Sequence, residues 1–592
     1  MDLKFSASLP TPGEQMAVDE ALSKGGEAAR HMLLPVLQSI QSHIGWISPG
    51  ALNYACRQLH IPPAEGYGVA EFYGLLATEP RPPCVVHVCD DLACRLAGSQ
   101  EICATLEATL GPAGSPLADG RSTWLRSPCL GQCELAPAAF VHAAGEKPRE
   151  VSVKHTNAES LTAILRQPEL APQLPAEDLR AAISIPQAGQ PDLILLKWVG
   201  AIRPESLQDY RYAGGYLALA RAKEMGAAAV LSEMATSELV GRGGAAFPSG
   251  RKWQAVAAAP APRYLVCNAD ESEPGTFKDR ILMEGNPFRL VEAMTIAAFA
   301  TGCSKGFLYI RGEYHLAAHR MQTAIDAARE AGLLEGFDLR IRMGGGAYIC
   351  GEETALFNSI EGFRGEPRNK PPFPTQVGLF GRPTLVNNVE TFCNVPSIVL
   401  EGGARYVESG TKQSKGNKLF CVSGHVRRPG LYEFPFGITL RELLDVAGGV
   451  GGTGRLQAVL MGGAAGGFLA PSEIDTPLTF EGLRGIGATL GSAVVMPFDD
   501  TVDLRSVLRQ IAAFFREESC GQCVPCRVGT VRQDELLERL SGGGDAAKEF
   551  ALFRDVAQVM RDASICGLGQ TAPSAIESAL KRFDLFPGGA IR

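Results

Sequence analysis

Sixteen cysteines in a chain of 592 residues are the first candidates for chemistry. Cys520-Gly-Gln-Cys523-Val-Pro-Cys526 packs three thiols into one turn, and Cys566-Gly-Leu-Gly569 follows after 39 intervening residues. Thiolates so tightly spaced suit several irons of a cubane better than one tetrahedral zinc, which predicts a [4Fe–4S] cluster on these four. Cys89-x4-Cys94 and Cys129-x3-Cys133 make a second set, with 34 residues between the pairs. Four thiolates converging there can hold either an iron–sulfur cluster or zinc. Cys56, Cys84 and Cys103 fall outside both patterns and read as core thiols. A third constellation is not sulfur. Gly241, Gly243, Gly244 and Gly250 let backbone approach a ligand, with Arg242, Arg251 and Lys252 as cationic donors suited to phosphate. Asn268, Asp270, Glu271 and Glu273 follow within thirty residues.

These groups need elements to position them. Tyr264 to Val266 reads as a buried strand that delivers Asn268 to Glu273 at its carboxyl end, where open α/β sheets bind ligands. Phe307 to Ile310 is a second strand, ending in Arg311-Gly312-Glu313-Tyr314, and Leu339 to Met343 a third. The third leads into Gly344-Gly-Gly-Ala-Tyr-Ile-Cys-Gly351-Glu352-Glu353, a glycine-rich turn entering a helix whose free N–H groups and dipole suit a phosphate. Asn387-Asn388 offers amides that can read a ring edge or hydroxyls. The match of Gly241, Gly243 and Ala246 to the dinucleotide fingerprint is weak, because Ser232 to Leu239 before it looks helical rather than strand-like.

Gly-Arg-Gly-Gly-Ala-x-Phe-Pro-x-Gly-x-Lys-Trp, followed by Cys-Asn-Ala-Asp-Glu-x-Glu-Pro-Gly-Thr-Phe-Lys-Asp-Arg, resembles the NADH-binding flavoprotein subunit of respiratory complex I. Its relatives include diaphorase subunits of NAD-reducing hydrogenases and NAD-dependent formate dehydrogenases. The resemblance implies FMN with NAD(H) stacked on it. It turns Gly241, Arg242, Gly243, Gly244, Lys252, Asn268, Asp270, Glu271, Tyr309, Gly312, Glu313, Gly351, Glu352, Asn387 and Asn388 toward the cofactors. Phe247, Glu273 and Glu353 would lie toward NAD(H), with Glu273 at the reacting nucleotide. Ala246 stands where the family usually has glycine, and Val240 where it usually has arginine. The helical leader with C-x4-C and C-x3-C resembles the thioredoxin-like [2Fe–2S] subunit of the same module, which favours [2Fe–2S] over zinc on Cys89, Cys94, Cys129 and Cys133.

The expected fold class is multidomain α/β and α+β. A loose leader and helical bundle occupy 1–80, a thioredoxin-like [2Fe–2S] domain 81–170 and a proline-rich linker 171–205. A Rossmann-like FMN/NAD domain follows at 206–415, then a ubiquitin-like small domain at 416–500 and a helical [4Fe–4S] domain at 501–592. The small domain carries no evident chemistry and reads as an interface unit. Glu517, Glu518 and Arg527 flank the last cysteine set, where their charge would tune a cluster.

A net charge of −8 with mixed signs leaves no footprint for nucleic acid. No apolar run reaches the ~18 residues of a membrane span, and Leu290 to Cys303 is core-helix sized. Met1 to Gly26 lacks the apolar region of a signal peptide, so the cytoplasm is the expected address. The expected activity is hydride exchange between NAD(H) and FMN, with single electrons relayed through the clusters to a catalytic partner. Formate dehydrogenase, with molybdenum or tungsten, is the expected partner, ahead of a nickel–iron hydrogenase module and a respiratory quinone reductase. The segments that favour formate are Tyr212-Ala-Gly-Gly-Tyr-Leu-Ala-Leu and Gly462-Gly-Ala-Ala-Gly-Gly-Phe-Leu, which resemble the formate dehydrogenase beta subunit. Two other readings remain: a Rossmann dehydrogenase with structural zinc, and a scaffold subunit with vestigial sites.

Overall fold

The structure is a computed structural model, and it describes residues 7–25, 28–172 and 184–586. The described part of the leader is helical rather than loose. Pro12–Gly25 forms α1, and Leu33–Ile44 (α2), Pro49–Gln58 (α3) and Pro63–Ala70 (α4) complete a bundle. Apolar residues at helical spacing (Leu33, Leu34, Val36, Leu37, Ile40) build its core, and Ser48 caps α3 by accepting from the Ala51 N–H.

The thioredoxin-like unit follows. Its sheet holds Cys84–Cys89 (β1), Ser122–Ser127 (β2), Ala138–Ala143 (β3) and Arg149–Lys154 (β4) in the order β2-β1-β3-β4. Ser99–Leu110 (α5) and Ala158–Arg166 (α6) pack on one face over Cys84, Val86, Val88, Val141 and Val151. Alternation along β1 fixes the consequence: His87 and Cys89 must emerge on the opposite face.

The proline-rich stretch is not a free tether where it is described; 173–183 lie outside the described residues. Leu193, Leu195, Leu196 and Val199 are buried. The buried carboxylate of Glu433 in the small domain accepts from the backbone N–H groups of Ile194, Leu195 and Leu196 at 2.9–3.1 Å. That clamp explains why the segment is held despite its prolines.

The flavin-type domain places Ala227–Thr236 (α7) and Ser249–Ala258 (α8) ahead of a wholly parallel sheet. Tyr264–Ala269 (β5), Lys305–Ile310 (β6), Asp338–Met343 (β7) and Thr384–Asn388 (β8) run in the order β7-β6-β5-β8. Pro287–Thr301 (α9), apolar nearly all round, is buried on almost every side, as a helix covering a parallel sheet must be. His315–Glu330 (α10) and Glu353–Glu361 (α11) follow β6 and β7. Among the described residues no helix is long and apolar enough to cross a membrane.

The small domain pairs Asn417–Val422 (β9), Gly430–Pro435 (β10), Leu456–Met461 (β11), Gly467–Leu469 (β12) and Val494–Asp499 (β13) in the order β10-β9-β13-β11-β12, with Leu440–Val446 (α12) on its own core. Leu504–Glu518 (α13), Val524–Ser541 (α14), Ala546–Ala563 (α15) and Ser574–Arg582 (α16) close the chain as a bundle.

Candidate functional site

A cavity of about 410 Å3 opens at the carboxyl ends of β5 and β8. Its floor is the flavin-type domain: Gly243, Gly244, Asn268, Asp270, Glu271, Glu273, Gly351, Glu352 and Asn388 all line it. A Cβ on Gly243 would sit 3.1 Å from that of Asn388, and one on Gly351 would sit 3.4 Å from the Asp270 carbonyl. The glycines therefore leave a flat cradle for a ligand.

Several of these side chains spend their hydrogen bonds on shape. Glu271 accepts from the N–H groups of Asp279 and Arg280 at 2.8 and 2.9 Å, so it caps the helix Lys278–Gly285. Burial nevertheless pushes its carboxyl up to about 8. Glu352 accepts from the N–H groups of Thr354 and Ala355, which occupies the N-terminus of α11 that the sequence offered to a phosphate. Asn268 donates to the Gly351 carbonyl at 2.8 Å, tying the end of β5 to the second glycine turn. Asp270 differs: its Oδ2 is buried without a hydrogen-bond partner, and burial holds its pKa well above the usual carboxylate range. An orphaned acceptor beside a glycine cradle fits a ligand carrying donors, as a flavin ring edge and ribityl chain do.

Glu273 reaches across the cavity. Tyr348 donates its hydroxyl to Oε2 at 2.5 Å, and Ala465 of the small domain donates its N–H to Oε1 at 2.7 Å. Burial pushes Glu273 up to about 7, against the pull of these two donors. Gly463, with φ of 86°, makes the approach possible, since a Cβ there would stand 2.5 Å from Glu273 Cγ. The small domain thus does more than form an interface. Its residues Gly462, Ala465, Thr489, Gly491 and Ser492 wall the cavity.

Other expected residues lie off the cavity. Arg242 is turned away and buried, donating to the Tyr406 hydroxyl and the Lys415 carbonyl while its guanidinium sits over Phe436 at 4.7 Å. Tyr309 is 1% exposed and hydrogen-bonded to Ser359 beneath the floor. Asn387 accepts from Trp253 Nε1, because alternation along β8 points it to the side opposite Asn388. Glu313 pairs with Arg311, and Gly312 borders a separate cavity behind β6 and β7. Gly241 is spent in the turn, its N–H on the Phe247 carbonyl. Lys252, Glu353 and the half-exposed Phe247 gather beside the cavity, where Lys370 bonds Glu352 and Glu353 at 2.8 Å each. Tyr348 and Lys278 sit inside motifs read for their other residues, and Lys370 lies outside every motif, so none of the three carries a separate signal in the sequence.

The thiols also gather. Cys129 and Cys133 Sγ atoms are 3.3 Å apart, and Cys89 interacts with both Cys94 and Cys129 on the polar face of the sheet. Hydrogen bonds from Cys133 and Cys89, aided by the charge of Arg311, hold the Cys129 thiol well below its ordinary range. A thiol prepared as thiolate is ready for ligation. In the last domain the ends of α13 and α14 bring Cys520, Cys523 and Cys526 beside Cys566. Gly567 and Leu568, directly after Cys566, line the cavity that holds Glu273.

Residues 234–397 match the Nuo51 FMN-binding domain, and residues 18–168 a thioredoxin-like [2Fe-2S] ferredoxin. The SLBB domain matches 419–468, and the NADH-ubiquinone oxidoreductase-F iron–sulfur binding region matches 506–585. An NADH-quinone oxidoreductase subunit of Aquifex aeolicus (strain VF5) is 44% identical over 399 residues, which is 66% of this chain and 92% of that one. The chain belongs to this NADH-quinone oxidoreductase subunit family. Another relative, NADP-reducing hydrogenase subunit HndC of Solidesulfovibrio fructosivorans, is 42% identical over 65% of this chain and 80% of its own. A chain of NAD+-reducing [NiFe]-hydrogenase in the H2-reduced state superposes with a TM-score of 0.81 at 32% identity, covering 94% of this chain and 92% of that one. As a member of the family the chain is an NAD(H)-dependent oxidoreductase with an FMN-binding domain, a thioredoxin-like [2Fe–2S] domain and a [4Fe–4S] region, and zinc is set aside.

Proposed function

We propose that the chain is the NAD(H)-facing diaphorase subunit of a cytoplasmic NAD-dependent formate dehydrogenase. The observation that carries the diaphorase reading is one cavity walled by the glycine cradle, Glu273 and the residues after Cys566. Bound FMN supplies the exchange between a hydride and single electrons. The chain's own residues do the rest. Gly243, Gly244 and Gly351 give the ring a flat seat, and Asp270 offers its free oxygen to the ring's donors. Glu273, aimed by Tyr348 and Ala465, accepts from the nicotinamide nucleotide. Walls from three units exclude water from the transfer.

In this reading Cys89, Cys94, Cys129 and Cys133 hold the [2Fe–2S] cluster, and Cys520, Cys523, Cys526 and Cys566 the [4Fe–4S] cluster. Hydride transfer needs no nucleophile–base pair.

Formate as the distal donor rests on the segments beginning at Tyr212 and Gly462, which resemble the formate dehydrogenase beta subunit. Gly462 itself lines the cavity. The fused leader, thioredoxin-like and flavin units favour hydrogen as the second reading, since the hydrogenase chain spans 94% of this one. The test is NAD+ reduction by the native complex with each donor. Formate-driven reduction with molybdenum or tungsten present is expected; hydrogen-driven reduction with nickel, and none with formate, overturns the choice.

A further inference from the structure

The sheet β2-β1-β3-β4 has a second face that the cluster thiols do not use up. His87 stands opposite Phe140, and His142 opposite Glu150, in the strand register. This polar face looks toward the flavin-type domain, where His315 opens α10 and stacks on Phe140 at 5.6 Å. Between them and helices α1 and α2 lies a cavity of about 380 Å3, which shares no lining residue with the flavin cavity. That volume falls at the small end of ligand pockets.

The hydrogen-bonding groups around it are not all satisfied. Two carboxylates line the cavity, and both are matched. Glu20 pairs with Lys24 at 2.6 Å and faces His43 at 3.5 Å. Glu150 faces His142 at 3.5 Å and His315 at 3.4 Å, and accepts the Ser42 hydroxyl at 3.1 Å. Arg342 is unmatched. No carboxylate among the described residues lies within ion-pair distance of it, its Nε is buried without a hydrogen bond, and Nη2 reaches only the Met32 sulfur at 3.7 Å. The Phe307 ring beneath the guanidinium, 5.5 Å away, is its other compensation. Burial lowers Arg342 only to about 10, so it stays charged at neutral pH. His142 is 4% exposed, and neither of its ring nitrogens makes a hydrogen bond. A buried guanidinium nitrogen and a buried imidazole that make no hydrogen bonds are costly unless a ligand completes them. Around this cavity no three His, Cys, Asp or Glu donors among the described residues are arranged to hold a metal ion.

We propose that this cavity is a binding site for a small anion bearing a carboxylate or phosphate group, paired with Arg342 and hydrogen-bonded by His142. Its occupant touches the leader, the thioredoxin-like sheet and the flavin-type domain together, so it stiffens their docking and acts as an effector. The guanidinium fork suits either head group.

The experiment titrates the full-length, FMN- and cluster-loaded protein with inorganic phosphate and, separately, with citrate, by calorimetry and thermal melting. Saturable binding is expected for at least one of them, with a melting temperature that climbs with its concentration. The preferred probe names the head group. Arg342→Gln should weaken binding by about tenfold or more, while flavin content and NADH-driven dye reduction stay at wild-type levels. Should Arg342→Gln fail to fold, Arg342→Lys and His142→Phe are read in the same way. No saturable binding of either probe, or equal binding by wild type and the substituted proteins, overturns the proposal.

Discussion

Arg311 donates through Nη2 to the carbonyl of Cys129, 2.8 Å away across the boundary between the flavin-type domain and the thioredoxin-like unit. The same guanidinium donates to the Glu271 carbonyl at 2.7 Å and pairs with Glu313. One buried cation therefore ties the cavity floor to the backbone of Cys129. Arg311→Met would leave Glu313 buried and unpaired, a change that costs about 3–5 kcal/mol in other proteins. The expected outcome is a lower melting temperature and loss of [2Fe–2S] absorbance ahead of flavin. Equal retention of both would mean the contact does not hold the unit in place.

The two cysteine sets should separate cleanly. Cys129→Ser is expected to lose two irons and keep four, and Cys526→Ser to lose four and keep two, as the two matched iron–sulfur regions require. Iron and sulfide assays with electron paramagnetic resonance check this. Zinc in place of iron in either region would refute the assignment.

Glu273 sets a pH dependence. Burial pushes it up to about 7, so its ionised fraction grows as pH rises through that value. Only the carboxylate is a full acceptor for a nucleotide hydroxyl, so kcat/KM for NADH should rise across the same interval. Glu273→Gln should flatten the profile and lower kcat/KM by on the order of tenfold, with flavin content kept. A wild-type profile in that variant would assign Glu273 a purely structural role.

Tyr348→Phe probes the same carboxyl from the other side. The hydroxyl stabilises the charged form of Glu273, so its removal should move the inflection to higher pH. An inflection that stays put or falls would show that Tyr348 does not govern Glu273.

Ala246 sits at φ of 51°, in the left-handed region. That backbone favours glycine, and it locates the cost of an alanine there in strain. Ala246→Gly should raise stability by roughly 1 kcal/mol and tighten flavin retention. Thermal melting and a flavin-release assay check it; a less stable variant would place the cost elsewhere.

Much of this site is legible in the sequence because it rests on local signals. The cysteine spacings, the strand at Tyr264 and the glycine turns each declare themselves within a few residues. What cannot be read locally is which way a side chain turns once its strand is paired. Arg242 reads as a phosphate donor and packs on Phe436, while Glu271 and Glu352 line the cavity and also spend hydrogen bonds on helix N-termini. The wall from Gly462 to Ala465 lies about two hundred residues from Glu273 in the chain, and only tertiary pairing reveals it. The same holds for Tyr348, whose role comes from its partner rather than its motif.

The order in which the cavity walls occur along the chain has a consequence for biogenesis. A polypeptide made from its N-terminus presents the glycine cradle and Asp270 long before residues 462–465, 489–492 and 567–571 exist. During synthesis the seat is therefore an open shelf that a flavin can reach from solution. Once the small domain and the segment after Cys566 have docked, those sides are walled and entry is confined to the mouth that remains. Cofactor loading is then a question of timing: early capture on a nascent half-site, or late entry through the mouth of the finished cavity.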